Sequence, residues 1–282
     1  SSQPCPDVNL QGLLTAITPK RMPTVPQHRP DRPGSLSPLA RLLRGLSWAI
    51  AVLCLASFTR TPGIAEAPRF QERWRPQFHF TAPDTWMNDP NGMVWFDGEY
   101  HLFYQNNPFG NRWGHMSWGH AVSRDLLHWE HLPVALAEEN GVMIFSGSAV
   151  VDWNNTSGFG RPGHPPMVAL YTGHHTGRPL QNQQIAYSTD RGRTWTKYPG
   201  NPVLDIGEAD FRDPKVFWHS DTGRWVMAVA WPPRRQVRLY SSPDLKAWTH
   251  LSDFGPAGST NGIWECPDLF PLPIEASSRT SA

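Results

Sequence analysis

Apolar positions in the body of this chain fall in short runs rather than at a helical spacing. Met93–Phe96, Tyr100–Tyr104, Met167–Tyr171 and Trp225–Ala230 are four to six residues long and bounded by polar or turn-forming residues. That is the length and boundary pattern of β-strands. Asp97-Gly98 and Thr222-Gly223 stand just before two of these runs as tight-turn signals. No stretch of the body repeats apolar residues at i, i+3, i+4 and i+7, so the pattern predicts an all-β fold.

A longer repeat lies over these runs. Ser123-Arg124-Asp125-Leu126-Leu127-His128-Trp129 is echoed by Ser188-Thr189-Asp190-Arg191-Gly192-Arg193-Thr194-Trp195 and again by Ser242-Pro243-Asp244-Leu245-Lys246-Ala247-Trp248. The closing tryptophans are 66 and 53 residues apart (Trp129 to Trp195, Trp195 to Trp248). One apolar run precedes each copy, so each unit reads as about four short antiparallel strands. Four-stranded sheets repeated radially make a β-propeller, whose innermost strands converge on a central channel. The units fall at about 77–138, 143–205 and 209–257, with the start of a fourth at about 261–275. The tail Glu275–Ala282 is polar and shows no strand pattern.

Three stretches carry a carboxylate at the opening of a strand. In Thr85-Trp86-Met87-Asn88-Asp89-Pro90-Asn91-Gly92, Pro90 fixes its own φ and pushes Asp89 toward an extended backbone. Asn91-Gly92 is a turn signal, and Met93–Phe96 then reads as a buried strand. Alone, Asp89 is equally well explained as a capping aspartate in an Asx-turn. Phe211-Arg212-Asp213-Pro214-Lys215-Val216-Phe217-Trp218 repeats the device, and Trp264-Glu265-Cys266-Pro267-Asp268-Leu269-Phe270 repeats it again with Glu265 leading. Structural aspartates rarely recur in this way. On converging strands, residues far apart in sequence meet in one funnel. Three clustered acids cannot all ionise cheaply, so one is expected to hold its proton near neutral pH. Arg212 is expected to favour the ionised form of its neighbour Asp213.

These stretches, with Phe145-Ser146-Gly147-Ser148 between them, resemble in content and order the signature motifs of glycoside hydrolase family 32, the invertase, levanase and inulinase family of β-fructosidases. The likeness runs from about Gln77 to Pro273. It implies a five-bladed propeller usually followed by a β-sandwich, of which this sequence holds about three blades and the start of the fourth, without the sandwich. It implies Asp89 as nucleophile, Glu265 as general acid/base and Asp213 as the stabiliser of an oxocarbenium-like transition state, in a retaining mechanism. It places Asn88, Gln105, Trp113, Ser146 and Arg212 around the fructosyl ring, with Trp86 and Trp264 as sugar-packing or wall residues. Cys266 is expected to be a small buried neighbour of Glu265. The implied substrate is levan, inulin or sucrose, and no cofactor is called for. Fructosyl transfer, and fructan binding without turnover, stay open on the same residues. His174-His175 has no third ligand at a recognisable spacing, so it reads as a loop rather than a metal site.

Composition adds the setting. Of 282 residues 39% are hydrophobic, enough for a core, and the net charge of +1 gives no case for nucleic acid or an anionic membrane as partner. Residues 1–67 differ from the rest. Met22–Pro38 is rich in Pro, Arg and Ser and reads as disordered, followed by Arg41, Arg44, the apolar run Leu46–Phe58 and the small-x-small site Ala65-Glu66-Ala67. Basic flank, short apolar core and small residues form a secretory signal peptide, so the protein is expected in the extracellular or periplasmic space. The 13-residue run is too short to span a bilayer comfortably. Cys5 and Cys54 fall in this leader, which leaves Cys266 without an internal disulfide partner.

Overall fold

The computed structural model describes residues 70–76 and 79–272. The chain divides into Ser1–Glu66 and Ala67–Ala282. The leader, its apolar run 46–58 and the polar tail from residue 275 all lie outside the described residues.

Among the described residues, twelve strands form three antiparallel four-stranded sheets. The first holds β1 (Trp86–Phe96), β2 (Glu99–Asn107), β3 (Ser117–Ser123) and β4 (Trp129–Leu136). The second holds β5 (Val142–Val151), β6 (Met167–His175), β7 (Leu180–Ser188) and the two-residue β8 (Thr196–Lys197). The third holds β9 (Arg212–His219), β10 (Arg224–Trp231), β11 (Gln236–Ser242) and β12 (Thr249–Phe254). Each sheet is a simple meander, and a single 3-10 turn at Pro232–Arg234 is the one helical piece among the described residues. These are propeller blades. The turn chemistry is local: Asp97 and Gly98 both take positive φ (49° and 88°), the requirement of a type I′ hairpin between β1 and β2.

The repeated Ser-x-Asp stretch is the turn from the third to the fourth strand of each blade. Ser123, Ser188 and Ser242 donate their hydroxyls to Asp125, Asp190 and Asp244 at 3.2, 2.7 and 3.1 Å. A left-handed residue follows each pair, at Leu126, Arg191 and Leu245. The indoles of Trp195 and Trp248 then close the turn by donating to the carbonyls of Gly192 and Leu245.

The core lies between blades. Phe103, Trp118 and Leu136 pack against Ile144, Ala149, Ala169 and Tyr171, and Val168, Leu170 and Ile185 face Val216, Trp225, Met227 and Tyr240 of the third sheet. Neighbours on β6 thus point into different interfaces, which is why Met167–Tyr171 is apolar without alternation. Burying a side chain of this size contributes about 1.5–3 kcal/mol. Cross-sheet hydrogen bonds set the inner strands side by side. Gly147 N–H donates to Asn91 Oδ1 (3.1 Å), and Ser148 Oγ donates to the Pro214 carbonyl (2.8 Å) while accepting from Val216 N–H (3.0 Å).

Three local expectations are corrected. Met93–Phe96 alternates: Met93 and Trp95 are 54% and 53% exposed, while Phe96 packs on Val151 and Met167. Asn91-Gly92 does not turn the chain but makes a bulge within β1, where Gly92 at φ +54° supplies the left-handed conformation that either feature needs. Trp264–Phe270 forms no strand. It has no ladder partner among the described residues, Pro267 has no N–H to give, and Cys266 N–H is bonded to a side chain instead.

Candidate active site

The inner strand of each blade loses its regularity at the same level. The β1–β2 register shifts between Met87 and Pro90 and again between Asn91 and Val94; the β5–β6 register shifts between Ile144 and Gly147; β9 and β10 slip between Ala228 and Ala230. Bulges of this kind re-aim side chains that a regular ladder would point at a sheet face. Here they turn side chains toward a common cleft.

Asp89 lies within β1 between the two shifts. Its Oδ1 accepts from Asn88 Nδ2 (3.2 Å) and its Oδ2 from Ser146 Oγ (2.8 Å). Asn91, buried behind it, ties back to the Asp89 carbonyl (3.2 Å). Ser146 is held in the irregular part of β5 by two anchors from the first blade. Gln105 Nε2 donates to the Ile144 carbonyl (2.9 Å), and the Trp118 indole donates to the Phe145 carbonyl (3.0 Å).

Asp213 is buried and sits at φ +64°. Its Oδ2 accepts from Cys266 N–H at 2.9 Å, with Arg212 Nε 3.9 Å away. Its pKa is raised. Burial is the largest cause, Glu265 and Asp89 add to it, and the Cys266 amide and Arg212 oppose it. Arg212 favours the ionised form of Asp213, as expected of a neighbouring guanidinium, but desolvation outweighs it. Arg212 also reaches to Glu265 Oε1 (3.0 Å) and pairs with Asp210. The Glu265 side chain is 56% exposed and stands at the mouth of the cleft.

Cys266 also departs from expectation. The residue is exposed rather than buried, while its Sγ turns inward beside Asp213 Oδ2 (3.7 Å) and Asp89 Oδ2 (4.0 Å), so the thiol neighbours those two carboxylates as well as the adjoining Glu265. Burial of the thiol, then the charges of Asp213 and Asp89, push its pKa up to about 12. This is not a poised nucleophile.

All eight residues picked from the sequence line one cleft of about 360 Å³: Asn88, Asp89, Gln105, Trp113, Ser146, Arg212, Asp213 and Glu265. Trp86 and Trp264 are absent from its walls. The Trp86 indole bonds to Asn88 Oδ1 (3.3 Å), and the Trp264 indole bonds to the Ser259 carbonyl (3.1 Å). Sequence reasoning missed three wall residues, Phe145, His174 and Gln181. His174 belongs to β6 and not to a loop; its ring stacks on Phe145 at 4.5 Å and 3°, and Trp113 meets Phe145 edge-on at 6.1 Å. Burial, then His175 and Arg212, lower the His174 pKa. Phe145 was within reach, because it stands in a quoted motif beside Ser146. Nothing in the sequence marks Gln181.

A converging trio of carboxylates with hydroxyl, amide and guanidinium partners is suited to binding and cleaving a polyol at a glycosidic bond. The profile of the glycosyl hydrolases family 32 N-terminal domain matches residues 79–282, most of the chain. The chain belongs to glycoside hydrolase family 32. Among its family 32 relatives, it is 56% identical over 215 residues to a levanase of Bacillus subtilis (76% of this chain, 31% of the relative). It is 48% identical over 213 residues to an invertase of Schizosaccharomyces pombe (73% and 36%). The crystal structure of an exo-inulinase from Aspergillus awamori superposes with a TM-score of 0.70 at 44% identity, covering 73% of this chain and 45% of that one. The chain thus spans a third to just under half the length of these family 32 proteins. No helix among its described residues is long and apolar enough to cross a membrane.

Proposed function

We propose that this chain carries the cleft of a secreted β-fructosidase that releases terminal β-fructofuranosyl residues from levan, inulin or sucrose with retention of configuration. The observation that carries this reading is the arrival of Asp89, Asp213 and Glu265 in one cleft of about 360 Å³, a size within the usual range for small-molecule sites. Relatives named for levan, inulin and sucrose chemistry support the substrate class. The signal-peptide pattern of residues 41–67 supports secretion.

In the first step Asp89 attacks the anomeric carbon while Glu265 protonates the departing glycosidic oxygen, giving a fructosyl ester on Asp89. In the second, Glu265 takes a proton from water, the water oxygen attacks the anomeric carbon, and the bond to Asp89 breaks. Ser146 and Asn88 orient the Asp89 carboxylate through its two oxygens. Asp213, aimed by the Cys266 amide, takes the ring hydroxyls and the positive charge that develops on the fructosyl ring in the transition states before and after the single ester on Asp89. The exposed Glu265, tethered by Arg212, has the water access that its base role needs.

The test separates the two roles of Glu265. Glu265→Ala should slow sucrose hydrolysis severely, yet leave the first step on an activated aryl fructoside much less affected. Azide, which needs no deprotonation, should restore turnover and give a product of retained configuration. Rescue with inversion, or equal loss on both substrates, would overturn the assignment.

A further inference from the structure

The segment Phe211–Asp213 enters its own sheet at the Arg212–Ala230 pair, next to the β9–β10 register slip, and is held besides by side chains of the neighbouring blade. Gln181 and Gln183 alternate on β7 and so share a face. Gln181 Oε1 accepts from Phe211 N–H (2.9 Å), and Gln183 Nε2 donates to the Phe211 carbonyl (2.8 Å). On β6, Thr172 is the ladder partner of Gln183. Its Oγ1 accepts from Asp213 N–H (2.9 Å) and donates to Gln183 Oε1 (2.8 Å). Thr172, Gln183 and Gln181 are all buried, with Thr172 and Gln183 wholly excluded from solvent.

The chain of bonds runs in one direction only. Gln183 must give its amide protons to Phe211, so its oxygen faces Thr172. The threonine proton is thereby committed to that oxygen, which leaves a lone pair aimed at the Asp213 amide. Flipping the amide of Gln183 would break two buried bonds at once, each costly to lose away from water. The clamp also fixes a backbone that does not hold itself. Asp213 is a non-glycine residue in the left-handed region, a conformation that persists where surrounding structure over-determines it. Rotating that backbone swings the carboxylate away from Cys266 N–H and out of the cleft.

We infer that Thr172 and Gln183 are positioning residues for Asp213, acting on its carboxylate only through the backbone they pin. The inference rests on the proposed β-fructosidase reading for its kinetic consequence, while its structural content can be read without substrate.

Thr172→Val keeps the shape and removes the acceptor and donor. It should lower kcat on sucrose by about 10- to 100-fold, the usual cost of a sub-ångström to 1 Å misplacement, with KM changed by less than about threefold. Thr172→Ser, which retains the hydroxyl, should restore kcat to within about threefold of the parent. In an Asp213→Asn background, where the carboxylate is already gone, adding Thr172→Val should cost less than about twofold, because the two changes act through one group. An equal cost in both backgrounds would overturn the inference. Amide hydrogen exchange gives the reading without turnover. The Asp213 amide should be protected in the parent and exchange at least about tenfold faster in Thr172→Val, since its acceptor is lost. Unchanged exchange would refute the clamp. Should Thr172→Val not fold, Gln183→Met, which releases the Phe211 carbonyl and frees the Thr172 hydroxyl, must speed exchange at the Asp213 amide, and unchanged exchange there would refute the clamp. A parent that protects Asp213 but leaves β-fructosides intact would refute the enzyme reading and leave the clamp standing.

Discussion

Two histidines buried between the first and second blades make the fold acid-labile. His101 on β2 and His120 on β3 are fully buried, with His101 Nδ1 and His120 Nε2 3.1 Å apart, and the His120 ring stacks on Phe103 at 4.2 Å. Burial, the largest cause, pushes His101 down to about 4, with Glu99 opposing and Arg193 and Arg191 adding to the fall. Burial, then the neighbouring His101 and Arg193, pushes His120 down to about 3. The charged groups around the pair are therefore Glu99, 3.6 Å from His101 Nε2, and the two arginines that arrive from the second blade onto Glu99. Both folded pKa values lie below the unfolded value of about 6.5, so the unfolded chain takes up protons first as pH falls. The stability tied to the neutral pair is fully present above about pH 6.5 and is lost as pH falls toward 4. By pH 5 the loss is about 2 kcal/mol for each histidine and about 4 kcal/mol for the pair. That is a large part of the 5–15 kcal/mol typical of a domain. Urea unfolding followed by tryptophan fluorescence between pH 7.5 and 5 reads the slope directly. His120→Gln removes one of the two protons, so its stability should fall less steeply than the parent's, by about 1.4 kcal/mol per pH unit below pH 6. Parallel slopes in parent and variant would refute the account.

Asp89→Ala should lower kcat by several powers of ten while fructose binding is largely kept; a variant with a tenth of the parent kcat would exclude Asp89 as nucleophile. Cys266 should react with iodoacetamide at pH 8 at least about a hundredfold more slowly in the folded protein than in urea, because its pKa of about 12 leaves almost no thiolate. Peptide-resolved mass spectrometry measures the two rates, and equal rates would show that the thiol is not shielded by burial beside Asp213 and Asp89.

What the sequence shows about the fold is what local chemistry decides. A serine hydroxyl on an aspartate two residues later, followed by a left-handed residue, needs no distant partner, so the three Ser-x-Asp turns mark three blades in the sequence alone. The choice of cleft residues has a different ground: family resemblance marks positions that spacing alone leaves open, and the fold brings those positions to one cleft. The failures share a cause as well. Whether Asn91-Gly92 reverses the chain or bulges it depends on β2 continuing alongside, since the same positive φ serves both. Whether Trp264–Phe270 becomes a strand depends on a ladder partner, and none pairs with it among the described residues. That burial outweighs the favourable effect of Arg212 on Asp213 depends on how deep the inner strand sits, which no neighbour in sequence reveals.

The same non-locality explains why the cleft lies where regular β-structure breaks. A regular inner strand sends alternate side chains to its two sheet faces, and between blades those faces are filled by residues such as Phe103, Tyr171 and Met227. A carboxylate on such a face would be desolvated against apolar rings. The register shifts around Asp89 and Ser146 and the left-handed backbone at Asp213 turn these polar groups out of the faces and toward the channel. Each departure leaves backbone groups without ladder partners, and buried side chains replace those partners: Asn91 for Gly147, Gln105 for Ile144, Thr172 for Asp213 and Gln183 for Phe211. The buried Asn91, Gln105, Thr172 and Gln183 are thus the counterpart of the polar groups that the irregular inner strands turn into the cleft. Each irregularity that aims a polar group brings with it a buried polar partner, contributed by the preceding blade.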